Sequence, residues 1–313
     1  MRFTDGLTFN IPRVFPAGPH QAVASRAVHL EDALSKDTRL CISLSGRPSD
    51  LGTRFHNYLY AELGLDFVYK AFTTTDVAAA VAGVRALGIR GCGVSMPFKE
   101  AVLPLVDEVE ASAAAIGSVN TIVNTDGHLV AANTDYLAVA ALLRERGVPD
   151  GADAVVLGSG GMAKACVAVL REGDRRDVTV VARNETTGRA LADAYDARWA
   201  PGAGDLRPAV LVNATPVGMA GGPEEGELPV PREVVEAAAT VLEVVAVPER
   251  TPLVRLAQEL GRDVVTGVEV AALQAAEQFA RYTGVRPTAD QVRRASAFSR
   301  RTPPGRRPEP HPA

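Results

Sequence analysis

Short apolar runs alternate with alanine-rich segments of helical period through most of the chain, and few folds accept that order. RLCISLS from Arg39, FVYKAFT from Phe67 and IRGCGVSM from Ile89 read as strands, with FHNYLYAELG and VAAAVAGVRALG as the helices between them. Alternation of this kind joins parallel strands through helical crossovers, so a parallel sheet covered by helices is expected. A helical piece around ASAAAIG follows, then VNTIVNTDGHLVAANT reads as a hairpin with an Asp-Gly turn near its centre, then a helix from Tyr136 to Arg146.

A second unit opens after the loop GVPDGA. DAVVLGSGGMAKACVAVLREG reads as strand, glycine-rich turn and helix. DVTVVARN, AVLVNATPVGM and TVLEVVAV are its further strands, and RALADAY is helical. The last helix, VEVAALQAAEQFARYTG, is expected to return and pack on the first unit. A chain of 313 residues that is 47% hydrophobic can fill two such cores.

Composition narrows the partners. A net charge of −4 argues against a nucleic-acid surface, which needs a concentrated basic face. The N-terminal stretch lacks a secretory pattern, and no run approaches the roughly 20 apolar residues of a membrane helix, so a cytoplasmic protein is expected. Cys41, Cys92 and Cys166 sit among apolar neighbours without metal-ligand spacing and read as buried thiols. Residues 1–37 form a proline-containing lead-in with one helical possibility, VASRAVHLEDAL, and RTPPGRRPEPHPA reads as a disordered tail.

Gly158, Gly160 and Gly161 follow the apolar strand AVVL and open a helix. Glycine lets the turn reach φ > 0 and lets a pyrophosphate approach the helix N-terminus, where unpaired N–H groups favour an anion. Ala163 takes the third glycine's place and is small enough for helix-to-strand packing. At the end of the next strand, some 20 residues on, an acidic residue would hold the ribose of NAD and an arginine the 2′-phosphate of NADP. That strand ends in Arg183 with Asn184 beside it, which favours NADP; Glu185, two residues on, is the competing group.

The stretch GCGVSMPFKE ends a buried strand, turns at Pro97 and presents Lys99. Asp135 in NTDY, at the end of the hairpin segment, is the other candidate, with Asn120 before it. A lysine that both gives and takes a proton needs burial and neighbours to tune it, and a carboxylate beside it serves to orient it. The alternatives are a lysine at the wet end of a loop and an ordinary surface ion pair worth at most about 1 kcal/mol.

Six stretches together resemble the shikimate dehydrogenase family: GVSMPFKE, SVNTIVN, ANTDY, LGSGGMAKA, VNATPVGM and TGVEVAALQAA, in that order between about residues 40 and 284. The resemblance implies an α/β fold of two domains with a cleft between them: a substrate domain over 38–135, completed by 268–300, and a Rossmann NADP-binding domain over 136–267. It implies reversible, NADP-dependent oxidation of shikimate to its 3-keto form, with Lys99 as the acid/base group and Asp135 as its partner. Ser95, Asn120 and Gln274 would hold substrate hydroxyls, and Met162, Asn213, Thr215 and Gly267 would join Gly158, Gly160, Gly161, Ala163, Arg183 and Asn184 around the cofactor. The protein would be a monomer or homodimer that takes a small carboxylic acid and no metal.

Four positions depart from the family pattern. Its carboxylate-binding serine pair falls on Asp50 and Gly52, so Ser43, Ser45, Arg47 or Arg54 is expected to take that role, or the substrate differs at that end. A family tyrosine falls on Ala246, and a family glycine is Tyr136, a phenol expected to reshape the pocket beside Asp135. Quinate or aminoshikimate dehydrogenases are alternatives within the enzyme class, and a non-catalytic NADP-binding sensor is the alternative outside it.

Overall fold

The computed structural model describes residues 34–172 and 177–301. The expectations for residues 1–33 and for the tail from 302 onward lie outside them. The first sheet uses β1 (Arg39–Leu44), β2 (Phe67–Phe72), β3 (Gly91–Val94), β4 (Glu108–Val109), β5 (Thr121–Thr125) and β6 (His128–Ala132). Their spatial order is β2-β1-β3-β5-β6-β4. It is mixed rather than purely parallel: β1 runs parallel to β2 and β3, while β5 is antiparallel to β3 and β6. The hairpin that the sequence announces causes the reversal, since Asp126 and Gly127 both take positive φ between β5 and β6.

Six helices belong to this half or join it: α1 (Asp50–Leu63), α2 (Val77–Ala86), α3 (Ala111–Ala114), α4 (Thr134–Glu145) and, from the far end of the chain, α9 (Gly267–Thr283), with α10 (Ala289–Ser299) behind it. Side chains alternate across β1, so Ile42 and Leu44 face one core with Val81, Val84 and Ile122, while Cys41 faces another. That second core holds Phe55, Leu59 and Tyr60 of α1 against Phe279 and Tyr282 of α9. Here the glycines of β3 find their reason. A Cβ on Gly91 would lie 2.3 Å from the Tyr282 ring, so only glycine lets α9 seat on the strand.

The second sheet is all parallel, with β7 (Ala154–Leu157), β8 (Val178–Val181), β9 (Arg198–Ala200), β10 (Val210–Asn213), β11 (Thr240–Glu243) and β12 (Asp263–Val265) in the order β12-β11-β10-β7-β8-β9. The order reverses at β7, and the glycine turn leaves that strand's C-terminal end, where open α/β sheets bind their ligands. Ala154 and Val156 face one core and Val155 and Leu157 the other, as a strand covered on both faces requires. The helices are α5 (Gly161–Arg171), α6 (Glu185–Ala194), α7 (Arg232–Ala237) and α8 (Pro252–Glu259).

Cys41, Cys92 and Cys166 are free and buried, and burial pushes the Cys41 thiol up to about 11 and Cys166 up to about 12. Among the described residues no helix is long and apolar enough to cross a membrane.

Candidate active site

A cleft of about 360 Å³ runs between the halves, walled by the strand ends of the first sheet, α1, α9 and α10, and by Ala246 and Val247 of the loop after β11. Lys99 reaches it because the chain folds tightly after β3. Ser95 N–H donates to the Leu44 carbonyl, Phe98 N–H closes a turn on the Ser95 carbonyl, and the Lys99 carbonyl accepts from Val119 N–H at 2.8 Å. Met96–Pro97 is cis.

Asp135 arrives from the other direction as the second residue of α4. The Asn133 side chain caps that helix by accepting from Tyr136 N–H, and its amide donates to the Ser118 carbonyl, so the cap is tied to the chain that follows Lys99. The two arrangements meet at 2.6 Å between Lys99 Nζ and Asp135 Oδ2, with the side chains 21% and 13% exposed. Both line the cleft. The pair is therefore largely desolvated, unlike an ordinary surface ion pair.

Asn120 stands beside them and is 2% exposed. Its Oδ1 accepts from Thr134 N–H, at 2.8 Å, and from the Thr121 hydroxyl, at 2.8 Å. Its Nδ2 has no partner, which leaves an unsatisfied buried donor on a residue that lines the cleft. Ser95 and Gln274 also line the cleft. Gln278, one helical turn beyond Gln274, does so too while donating to the Asn120 carbonyl and the Thr121 hydroxyl, each at 3.0 Å. Gln278 is a residue that sequence reasoning missed, although the spacing of four from Gln274 puts both on one helix face.

Ser43, Ser45 and Arg47 also line the cleft; Asp50 and Arg54 are not among its lining residues. Asp50 is exposed in the first turn of α1, where a carboxylate suits the helix N-terminus. Arg54 stacks over Phe298 and donates to the Arg301 carbonyl. Gly52 opens space before the Tyr69 hydroxyl, which would lie 3.7 Å from a Cβ there. Tyr69 is itself a lining residue, with its hydroxyl against Ser43 and its ring stacked on His56 at 4.4 Å. Burial holds the His56 imidazole neutral, down to about 3.

Tyr136 does not reshape this pocket. Its ring packs toward α5, its hydroxyl meets Glu172, and it borders a separate groove with Arg171 and Tyr195. The residue before it faces the cleft, and the helical rotation of about 100° per residue turns Tyr136 away.

On the Rossmann side, Gly158 has φ +104°, and a Cβ there would stand 2.8 Å from the Ala214 carbonyl oxygen. Gly160 caps α5 and Gly161 begins it; neither would bring a Cβ within 4 Å of anything, so the leading N–H groups of the helix face open space that fits a pyrophosphate. Met162 packs on the core below and Ala163 is fully buried. Arg183 stands 77% exposed at the tip of the next turn, 3.0 Å from Glu224. Asn184 caps α6, and Glu185 is engaged by Arg189 at 2.8 Å, along its own helix.

Two of the expected cofactor residues are held tightly by the fold. Asn213 is 0% exposed and its amide is spent: Nδ2 donates to Glu243 and the Val217 carbonyl, and Oδ1 accepts from Thr215 N–H and, at 2.6 Å, from the Thr215 hydroxyl. Gly267 starts α9 where a Cβ would lie 2.3 Å from the Val245 carbonyl oxygen. Gly267 seats α9 on the loop whose Ala246 and Val247 line the cleft. The Asn213 side chain is left with no atom for a ligand.

A family model described as the shikimate dehydrogenase substrate-binding domain matches residues 50–122. A Haemophilus influenzae protein named shikimate dehydrogenase-like is 49% identical over 267 residues, covering 85% of this chain and 98% of its own. A Pyrococcus abyssi shikimate dehydrogenase (NADP(+)) is 34% identical over 262 residues, covering 81% of this chain and 96% of its own. The solved Thermus thermophilus shikimate 5-dehydrogenase in complex with NADP(H) and shikimate is 30% identical, with a TM-score of 0.74 over 83% of this chain and 99% of that one.

Proposed function

The chain belongs to the shikimate dehydrogenase family and is an oxidoreductase of that NADP-dependent type, and we propose that it interconverts shikimate, or a close cyclic hydroxy acid, with the 3-keto form. The observation that carries this reading is the convergence of Lys99, Asp135 and the unpartnered Asn120 amide in one cleft. Bound NADP supplies or accepts the hydride. The glycine turn and the start of α5 would hold its pyrophosphate, and Arg183 its 2′-phosphate in exchange for Glu224.

The chain's own part is the proton. In reduction, the substrate carbonyl oxygen gains negative charge; the Lys99 ammonium stabilises it and transfers a proton to it, leaving a neutral amine. In oxidation the amine takes the hydroxyl proton back. Asp135 holds Nζ in place through the 2.6 Å contact, and the Asn120 amide donates to a neighbouring ring hydroxyl. A quinate-type ring is the second reading, favoured by the absence of bulk at Gly52 and Ala246, both on the cleft wall.

Steady-state assays of shikimate, quinate and aminoshikimate with NADP and NAD test the reading. Shikimate with NADP is expected to give the highest kcat/KM. Lys99→Met is expected to lower kcat about 10² to 10⁴-fold while NADPH binding, followed by its fluorescence, is retained. No turnover of any of the three acids overturns the assignment and leaves a binding protein.

A further inference from the structure

The family's carboxylate-binding serines fall on Asp50 and Gly52, and neither side chain can hold an acid: one repels it and the other is absent. Something else must meet the negative end of the substrate. We propose that Arg300, the C-cap of α10, is the group that anchors the substrate carboxylate, a specificity role resting on the function proposed above.

Packing brings Arg300 to the required place. α10 lies against α1, and their contact is sealed at the end in question: Arg54, the fifth residue of α1, stacks over Phe298 at 4.9 Å and donates to the Arg301 carbonyl. The residue between Phe298's turn and Arg301 is thus delivered beside the N-terminus of α1, which is where Asp50 and Gly52 stand. Arg300 lines the cleft there together with Ser296, Ser299 and Ser49. Lys99, in the turn after β3, and Asp135, in the first turn of α4, line this same cleft, so the acid and the reacting hydroxyl of one ring can be met within it.

The guanidinium is held but not consumed. Nη1 donates to the Ser296 hydroxyl at 2.6 Å, which fixes its direction. Its carboxylate neighbour, Glu249 of the loop that carries Ala246, is 3.8 Å away, too long for a hydrogen bond. Burial lowers Arg300 from its ordinary value, and the Glu249 charge offsets this only in part. An incoming carboxylate supplies further negative charge through two parallel N–H···O bonds, a match that Arg makes and Lys does not. Ser49 adds to the subsite, since as N-cap of α1 its hydroxyl makes no capping bond.

The test compares shikimate with its methyl ester, using the full-length protein and NADP. In the wild type kcat/KM should favour the acid strongly. Arg300→Met should reduce the acid-to-ester ratio about tenfold or more, mainly through KM for the acid, and Arg300→Lys should give an intermediate ratio. Glu249→Gln removes the competing carboxylate and should raise the ratio about twofold; this variant carries the test if Arg300→Met does not fold. A wild type that turns over neither compound overturns the reaction and the anchor with it. Turnover with an unchanged ratio in Arg300→Met, or a ratio that instead collapses in Arg47→Met, overturns the anchor alone. A lowered or unchanged ratio in Glu249→Gln does the same.

Discussion

Asn120 and Asn213 are two buried asparagines, one beside each sheet, and they differ in what remains after the fold has used them. Asn213 spends its amide on Glu243, Val217 and Thr215. Asn120 gives its oxygen to Thr121 and Thr134 and keeps both amide protons unspent. A closed amide is scaffold, because nothing is left for a ligand to satisfy. An open one in a buried place costs about 1 to 3 kcal/mol until something arrives to accept from it, so it marks where a polar ligand belongs. The halves divide accordingly: the first presents side chains to the cleft, and the second presents backbone N–H groups at its glycine turn.

The same substitution at both positions breaks the comparison if it is wrong. Asn213→Asp sets a carboxyl against Glu243, where an amide now donates at 3.0 and 3.1 Å. The expected loss is about 4 kcal/mol of stability, read from urea titration. Equal tolerance at Asn213 would mean that the network is not closed.

A pH titration sharpens the scaffold side. Burial pushes the Glu243 carboxyl up from 4.5 to about 7, against hydrogen bonds from Val245 N–H, Asn213 and Thr251 that pull it down. A raised acid keeps its proton in the folded state where the unfolded state has lost it. Its contribution is therefore complete below pH 4.5 and disappears as pH rises through 7. The wild type should lose about 3 kcal/mol across that window relative to Glu243→Gln, whose stability lacks this slope. Parallel curves for the two proteins would place the proton elsewhere.

Asn120→Asp is the matched change on the open side. It keeps the oxygen that Thr121 and Thr134 use and removes the unspent donors. Here kcat/KM should fall about thirtyfold, a loss of about 2 kcal/mol, with a stability change less than half that of Asn213→Asp. A stability loss equal to the other, with activity kept, would make Asn120 scaffold as well.

How much of this was legible in the sequence follows the same division. Strands and helices with local periodicity were readable: β1 to β3, the Asp126-Gly127 hairpin and the β7 turn fall where the pattern put them. The strands β4, β9 and β12 have two or three residues each, too few to show a period, and exist only because a sheet edge is there to pair with. Lys99 and Asp135 were legible as a pair because motifs announce them, whereas their 2.6 Å contact depends on two turns 36 residues apart. Asn213 was expected at the cofactor only because VNATPVGM resembles a family motif, and the packed structure reveals that its amide is exhausted. Arg300 was silent, because its position comes from α10 lying on α1, a contact between segments some 250 residues apart.

The smallest effect is expected where the halves touch. Glu100, next to Lys99, pairs at 2.6 Å with Lys164 of α5, directly beyond the glycine turn. These side chains are 66% and 33% exposed, so solvent and salt screen them, and the pair is worth at most about 1 kcal/mol. If each half does its work with its own groups, Glu100→Gln changes kcat/KM by less than about threefold, and the change vanishes at high ionic strength. A loss of tenfold or more, about 1.4 kcal/mol, that persists in salt would show instead that the cofactor helix sets the position of Lys99 through this bridge. The open and closed asparagines would then describe one coupled site, and the division between side-chain and backbone binding would fail at the residue next to the proton donor.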